Sequence, residues 1–147
     1  MQVHTYLNFD GRCEEALDFY REALGAEVTS LMRFEDSPET AAAHPDVAGD
    51  RVLHATFRIG ETTLWAMDGP GQDDVEFDGF LLSLVTKTDA ETKRLFARLA
   101  DGGQVREPLT PTFFSSLFGM VTDRFGMGWV VMTAPAEAPP TPSGRSG

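Results

Sequence analysis

The sequence predicts an α+β fold made of two βαβββ modules in tandem, and three observations carry that prediction. Residues 6–28 and 80–105 read as one strand-helix-strand phrase written twice. The helix ends register when the copies are laid over each other, with Phe19 over Phe96, Gly25 over Gly102 and Val28 over Val105. Each copy then runs on into alternating segments that reverse at Gly60 and at Gly126, which is a hairpin pattern. A repeat too small to bury its own core implies two half-domains closing around a shared space, and function is expected there. The layout expected is one domain over residues 1–134, with modules at about 1–70 and 78–134, and a disordered tail over 135–147.

In the first module, residues 6–9 begin the pattern as a strand and residues 13–24 follow as a helix. Ala16, Phe19 or Tyr20, Ala23 and Leu24 form its apolar stripe, and Gly25 stands where a left-handed terminal residue is wanted. Residues 28–34 read as a strand, and the polar stretch 35–50 as a loop or irregular arm. Over 51–58 the sequence alternates, placing Val52, His54, Thr56 and Arg58 on one face and Leu53, Ala55 and Phe57 on the other. Gly60 and Glu61 turn the chain into a strand over 62–67. Residues 68–78, rich in Gly and Asp, are a natural connector.

The second module opens with a strand over 80–85. Its helix, 89–100, starts from a capping-box pattern at Thr88-Asp89-Ala90-Glu91, buries Leu95, Phe96 and Leu99, and stops at Gly102. A strand starts near Val105, with Pro108 and Pro111 expected to interrupt it. Residues 118–123 turn at 124–126 into a strand over 129–132, and from Ala134 onward no periodicity remains.

At 147 residues, 41% hydrophobic and with eleven Phe, the chain suits one globular domain with a real core. Its net charge of −11, with no basic stripe along a helix, argues against nucleic acid and anionic lipid as partners. No apolar run approaches the roughly 20 residues that span a bilayer, and the strand-like residues 3–7 do not read as a signal segment. A cytoplasmic protein is expected. The single Cys13 rules out an internal disulfide and any multi-thiolate metal site, and at the start of an amphipathic helix it reads as packing. No Ser, His and Asp set stands at motif spacing, and no Gly pattern cradles phosphate.

Three segments carry a resemblance: residues 6–20 (Tyr6-Leu7-Asn8-Phe9-Asp10-Gly11 into the first helix), residues 54–59 with Met67-Asp68, and residues 118–129, which hold Thr122-Asp123-Arg124-Phe125-Gly126. Over residues 3–133 the chain resembles the PhnB-like branch of the vicinal oxygen chelate superfamily, the glyoxalase, bleomycin-resistance and extradiol-dioxygenase group. The resemblance implies a curved mixed sheet around a cavity. It also departs from the pattern, which often has Pro at Arg124 and commonly Trp and His at Phe114 and Ser116. Some sequences of this branch carry a demethylubiquinone methyltransferase label, but nothing in this chain resembles a methyl-donor site.

Catalytic members of the superfamily hold a divalent metal with four side chains from the first and last strands of the two modules. Carried onto this sequence, the first position falls on His4, the second near Leu64, Trp65 or Met67, the third near Phe80 and the fourth near Val130. Only His4 is a competent ligand, whereas such sites need three or four protein donors. The expected protein is therefore free of metal and other cofactors, binds a small organic molecule in its cavity, and forms a homodimer. Its alternative is a glyoxalase-like metal-dependent lyase or dioxygenase. Alternation places His4, Tyr6 and Asn8 on one face, and His54 and Arg58 on another; His54 also has an ordinary reading as a hydrogen-bonded histidine on a half-buried strand, and His4 as a frayed terminal residue. His44 is expected in solvent. Trp65, Phe113, Phe114 and Phe118 complete the candidate ligand contacts, the three Phe as a mobile lip beside Pro111, because aromatic walls with a few polar groups suit a small planar ligand.

Overall fold

An apolar stripe at Cys13, Ala16, Leu17, Phe19, Tyr20 and Ala23 draws residues Cys13–Leu24 into a helix, α1, with every one of those side chains buried. The helix stops at Gly25, whose φ of 69° is left-handed and whose N–H reaches back to the Arg21 carbonyl. The aligned Gly102 is also left-handed at 78°. The computed structural model describes residues 1–69 and 75–135. The chain divides into two compact units, Met1–Gly79 and the part from Phe80 on.

The first unit contains β1 (Tyr6–Asn8), α1, β2 (Glu27–Arg33), α2 (Pro38–Ala43), β3 (Val52–Ile59) and β4 (Thr62–Met67). Its sheet has the order β1-β4-β3-β2, with β1 parallel to β4 and the remaining pairs antiparallel. One face packs on α1: Leu7, Phe9, Ala55, Phe57, Leu64 and Ala66 are buried, and the Tyr20 ring stacks over Phe57 at 6.3 Å. Full burial of an aromatic side chain contributes about 2–3 kcal/mol, so this pair anchors the unit.

The second unit contains β5 (Leu82–Thr86), α3 (Asp89–Ala100), β6 (Gln104–Thr110), β7 (Phe118–Thr122) and β8 (Gly128–Thr133). Its order, β5-β8-β7-β6 with β5 parallel to β8, repeats the first topology. Leu95, Phe96 and Leu99 of α3 are buried with Val121, Trp129 and Val131 of the sheet. Thr88 caps α3 by accepting the Glu91 N–H.

Several expectations need correcting. The first strand covers only Tyr6–Asn8, although the Thr5 carbonyl accepts one further ladder bond from the Trp65 N–H. The polar arm holds a 3₁₀ turn (Phe34–Asp36) and α2, because Ser37 caps Thr40 N–H and Pro38 has no N–H to lose at the first turn. His44 is half-buried at the end of α2, edge-on to Phe34 at 6.1 Å. Pro108 lies inside β6, which is an edge strand and pairs only with β7; the pairing shifts register between Glu107 and Thr110, so the missing donor breaks little. Ala134, the last residue of the expected domain, donates to the Thr86 carbonyl. Of the connector, residues 70–74 lie outside the described residues, as do residues 136–147 of the expected tail.

Candidate functional site

The face of the first sheet turned away from α1 gathers four aromatic side chains. Parallel pairing sets Tyr6 of β1 opposite Trp65 of β4, and antiparallel pairing sets Thr56 of β3 opposite the same Trp65. These three side chains form a row, with His54 two residues farther along β3 on the same face. The His4 ring stacks on the Trp65 indole at 4.5 Å and 12°. Tyr6 and His54 meet the indole edge-on at 5.5 and 5.4 Å. Tyr6 stays 44% exposed, while His4, His54 and Trp65 are half-buried, so the cluster is reachable from solvent.

A hydrogen-bonded chain runs through this cluster. The Tyr6 Oη lies 2.7 Å from His54 Nδ1, and His54 Nε2 lies 3.3 Å from Thr56 Oγ1. Either neutral tautomer completes it: Tyr6 donates and the imidazole passes a proton toward Thr56, or Thr56 donates and the imidazole passes one toward Tyr6. Burial raises the Tyr6 phenol above its ordinary pKa, with the charge of Cys13 adding to the rise, so the hydroxyl keeps its proton at neutral pH. The site offers a flat indole, two imidazoles and a protonated phenol.

His4, Tyr6, His54 and Trp65 are thus brought together, whereas Asn8 and Arg58 have other partners. The Asn8 Oδ1 accepts the N–H groups of Asp10 and Gly69, clasping the loop after β1 to the end of β4. Arg58 pairs with Glu27 across β3 and β2 at 2.5 Å. Phe113, Phe114 and Phe118 belong to the second unit, where they form their own run of T-shaped contacts with centroids 5.1 and 5.5 Å apart.

The donors present do not fit a catalytic metal centre. His4 Nε2–H donates to Gln2 Oε1 at 3.0 Å, and both nitrogens of His54 are engaged within the Tyr6 and Thr56 chain. Leu64, Trp65 and Met67 stand where a second ligand was implied. Among the described residues, no three His, Cys, Asp or Glu side chains form a set that could hold a metal ion.

Two polar groupings lie outside the candidate residues that the sequence suggested. Asp68, just past β4, is buried and accepts N–H bonds from Gly11 at 2.6 Å, Cys13 at 2.9 Å and Val52 at 3.1 Å. It fills the start of α1 with a carboxylate. Beside it the Cys13 thiol is fully buried and pushed far above its ordinary pKa, first by burial and then by Asp68 and Glu14, which suits packing rather than attack. In the second unit, a hydroxyl chain links Thr86, Thr92 and Thr133 at 2.6 and 2.7 Å and ends on Asp89, which accepts from Thr133 and Ser116.

The model of the 3-demethylubiquinone-9 3-methyltransferase family matches residues 1–132. Protein YjdN of Escherichia coli K12 is 31% identical over 141 residues, covering 89% of this chain and 94% of its own length. The chain belongs to this PhnB-like family. Among solved structures, PA1353 of Pseudomonas aeruginosa is 39% identical, with a TM-score of 0.78 over 91% of this chain and 98% of its own. A PhnB protein from Bacillus cereus, described as a putative 3-demethylubiquinone-9 3-methyltransferase, is 26% identical, with a TM-score of 0.77 over 91% and 100%. A glyoxylase/bleomycin resistance/dioxygenase domain from Frankia, 18% identical with a TM-score of 0.65 over 94% of each chain, extends the likeness at the level of fold. This PhnB-like chain therefore shares its α+β architecture with the glyoxalase and dioxygenase group.

Proposed function

We propose that this PhnB-like protein binds a small planar organic molecule without a metal, using the indole of Trp65 as platform and the Tyr6 and His54 pair as polar contacts. The observation that carries this reading is the half-open cluster of His4, Tyr6, His54 and Trp65 on one sheet face. A flat ring gains dispersion on the indole, and a hydroxyl or carbonyl on that ring finds both a donor and an acceptor in the phenol and imidazole pair. The family description names a demethylubiquinone, a compound with a planar ring, which agrees with a ligand of that shape.

The reading stops at binding. A methyl donor needs a site of its own, and the Gly11 and Cys13 amides at the start of α1, where an acidic group is commonly held, are taken by Asp68. Metal-dependent lyase or dioxygenase chemistry needs a fuller donor set than His4 and His54 provide. We further propose a cytoplasmic homodimer. The lone Cys13 suits a reducing compartment, and Leu81, Val85 and Val105 leave apolar surface open in the single chain.

Thermal denaturation with a panel of hydroxylated aromatics tests the proposal. At about 100 times its Kd, a ligand of the native state stabilises by roughly 2.7 kcal/mol. The stabilisation is expected to survive chelator treatment and to vanish in Trp65→Leu. Stabilisation that required added metal, or that persisted in Trp65→Leu, would overturn it.

A further inference from the structure

The second unit carries an open groove of about 590 Å³, within the range of small-molecule sites, lined by Lys87, Asp89, Phe113, Phe114, Ser116 and Thr133 among others. Its aromatic wall is held out into solvent. Phe113 is 100% exposed and Phe114 40%, although their rings meet edge-on at 5.1 Å. The turn that presents them is internally fixed. Thr112 Oγ1 accepts the N–H groups of Phe114 and Ser115, Thr112 N–H donates to the Ser115 carbonyl, and the single hydroxyl proton of Ser115 lies between the Leu117 and Thr133 carbonyls. The exposed rings are therefore mounted on a preorganised support, which lowers the ordering cost of binding.

Opposite charges stand at the same groove, two residues apart where β5 passes into α3. Asp89 is held ionised: hydrogen bonds from Ser116 and Thr133 keep its carboxyl below the ordinary range, and Lys93 adds to this. Both hydroxyls fall on Oδ1, at 2.5 and 2.8 Å, leaving Oδ2 open to a further donor. Lys87 makes no ion pair with any described residue. Lys87 and Asp89 are the charged residues of the groove's lining, one of each sign, so it offers a partner to an anionic and to a cationic group alike.

We propose that this groove is a second ligand site, for a small zwitterion of the α-amino-acid class with an apolar side chain. Its ammonium meets Asp89 Oδ2, its carboxylate meets Lys87, and its side chain lies on Phe113 and Phe114. Phe113, Phe114 and Phe118 were expected as a mobile ligand-contacting lip; Phe113 and Phe114 instead stand on a turn held by its own hydrogen bonds, and the charged pair gives them a chemistry independent of the proposal for the first unit.

Three phenyl-bearing probes of different charge test it: L-phenylalanine, 2-phenylethylamine and 3-phenylpropanoate, titrated into the full chain by calorimetry. L-Phenylalanine should bind most tightly, the amine about tenfold more weakly and the carboxylate more weakly still, because the charge-assisted hydrogen bond to Asp89 outweighs an ion pair with the exposed, flexible Lys87. Lys87→Gln should bring L-phenylalanine to the affinity of the amine, and Phe113→Ala should weaken all three probes. Both positions are solvent-exposed, so native melting temperatures are expected and a binding loss is read directly. Asp89→Asn, which keeps the Oδ1 acceptor, should abolish the preference for the two amines. No saturable binding of L-phenylalanine up to roughly 10 mM, equal affinity for all three probes, or full binding in Lys87→Gln and Phe113→Ala would each overturn the proposal.

Discussion

Replacing Asp68 with Ala removes a side chain that joins the loop after β1, the start of α1 and the start of β3. Asp68 is 3% exposed, and its carboxylate accepts three backbone N–H groups, at 2.6, 2.9 and 3.1 Å. Gly11 is exposed, so water can replace its bond. Cys13 and Val52 are buried, and each of their amides would be left unpaired at a cost of about 1–3 kcal/mol. Their sum, less the relief from no longer burying a carboxylate, puts Asp68→Ala at about 3 kcal/mol. Asp68→Asn keeps the acceptor for Gly11 and Cys13 and turns an NH₂ toward Val52, so it should cost about 1–2 kcal/mol. Urea unfolding followed by circular dichroism gives both values, and amide exchange at Cys13 and Val52 locates the loss. An Asp68→Ala variant within about 0.5 kcal/mol of the parent, or an Asn variant as damaged as the Ala variant, would show that Asp68 does not hold these amides.

Thr92→Val keeps the shape of a fully buried side chain and deprives the Thr86 and Thr133 hydroxyls of their shared partner, so a loss of about 1–3 kcal/mol is expected in urea unfolding. Glu14 is held below its ordinary pKa, chiefly by the Arg33 hydrogen bond, so its contribution is present above the unfolded value of about 4.3 and disappears as pH falls through the lower folded value. Glu14→Gln should therefore flatten the acid limb of a stability profile taken across that region. The raised Cys13 thiol has the opposite sign: its contribution is intact below the free thiol value of about 8.5 and falls as pH rises beyond it, where the unfolded chain ionises first. Iodoacetamide should leave Cys13 unmodified in the native protein and modify it once urea unfolds the chain.

The repeat was legible because its marks are local. Gly25 and Gly102 are both left-handed at 69° and 78°, and Phe19 and Phe96 are both buried, as their alignment required. Pro108 was misleading because a proline removes one donor from any strand, and only the sheet order shows that β6 is an edge with little to lose. The helix in the insertion was written in Ser37-Pro38, a cap followed by a first-turn proline, but six residues carry too little periodicity to stand out. At the first-unit cluster, alternation placed His4 with Tyr6 and His54 with Thr56, yet it cannot supply the parallel register that sets Tyr6 against Trp65. The same alternation grouped Asn8 and Arg58 with them, and their partners, the Asp10 and Gly69 amides and Glu27, depend on contacts made on folding. Asp68 read as connector because a buried acceptor of three amides has no sequence signature.

The two indoles permit the most direct test of the binding account. Trp65 lies on the proposed face, whereas Trp129 is buried with its Nε1–H donating to Asp123 Oδ2 at 2.9 Å. In an ¹⁵N-labelled sample, the two indole N–H signals can be followed while catechol, a planar dihydroxylated ring, is titrated in. The Trp65 signal should shift saturably, Trp129 should stay in place, and His54→Leu should weaken the response. Motion of Trp129 alone, or no saturable shift at Trp65, would contradict the proposed binding.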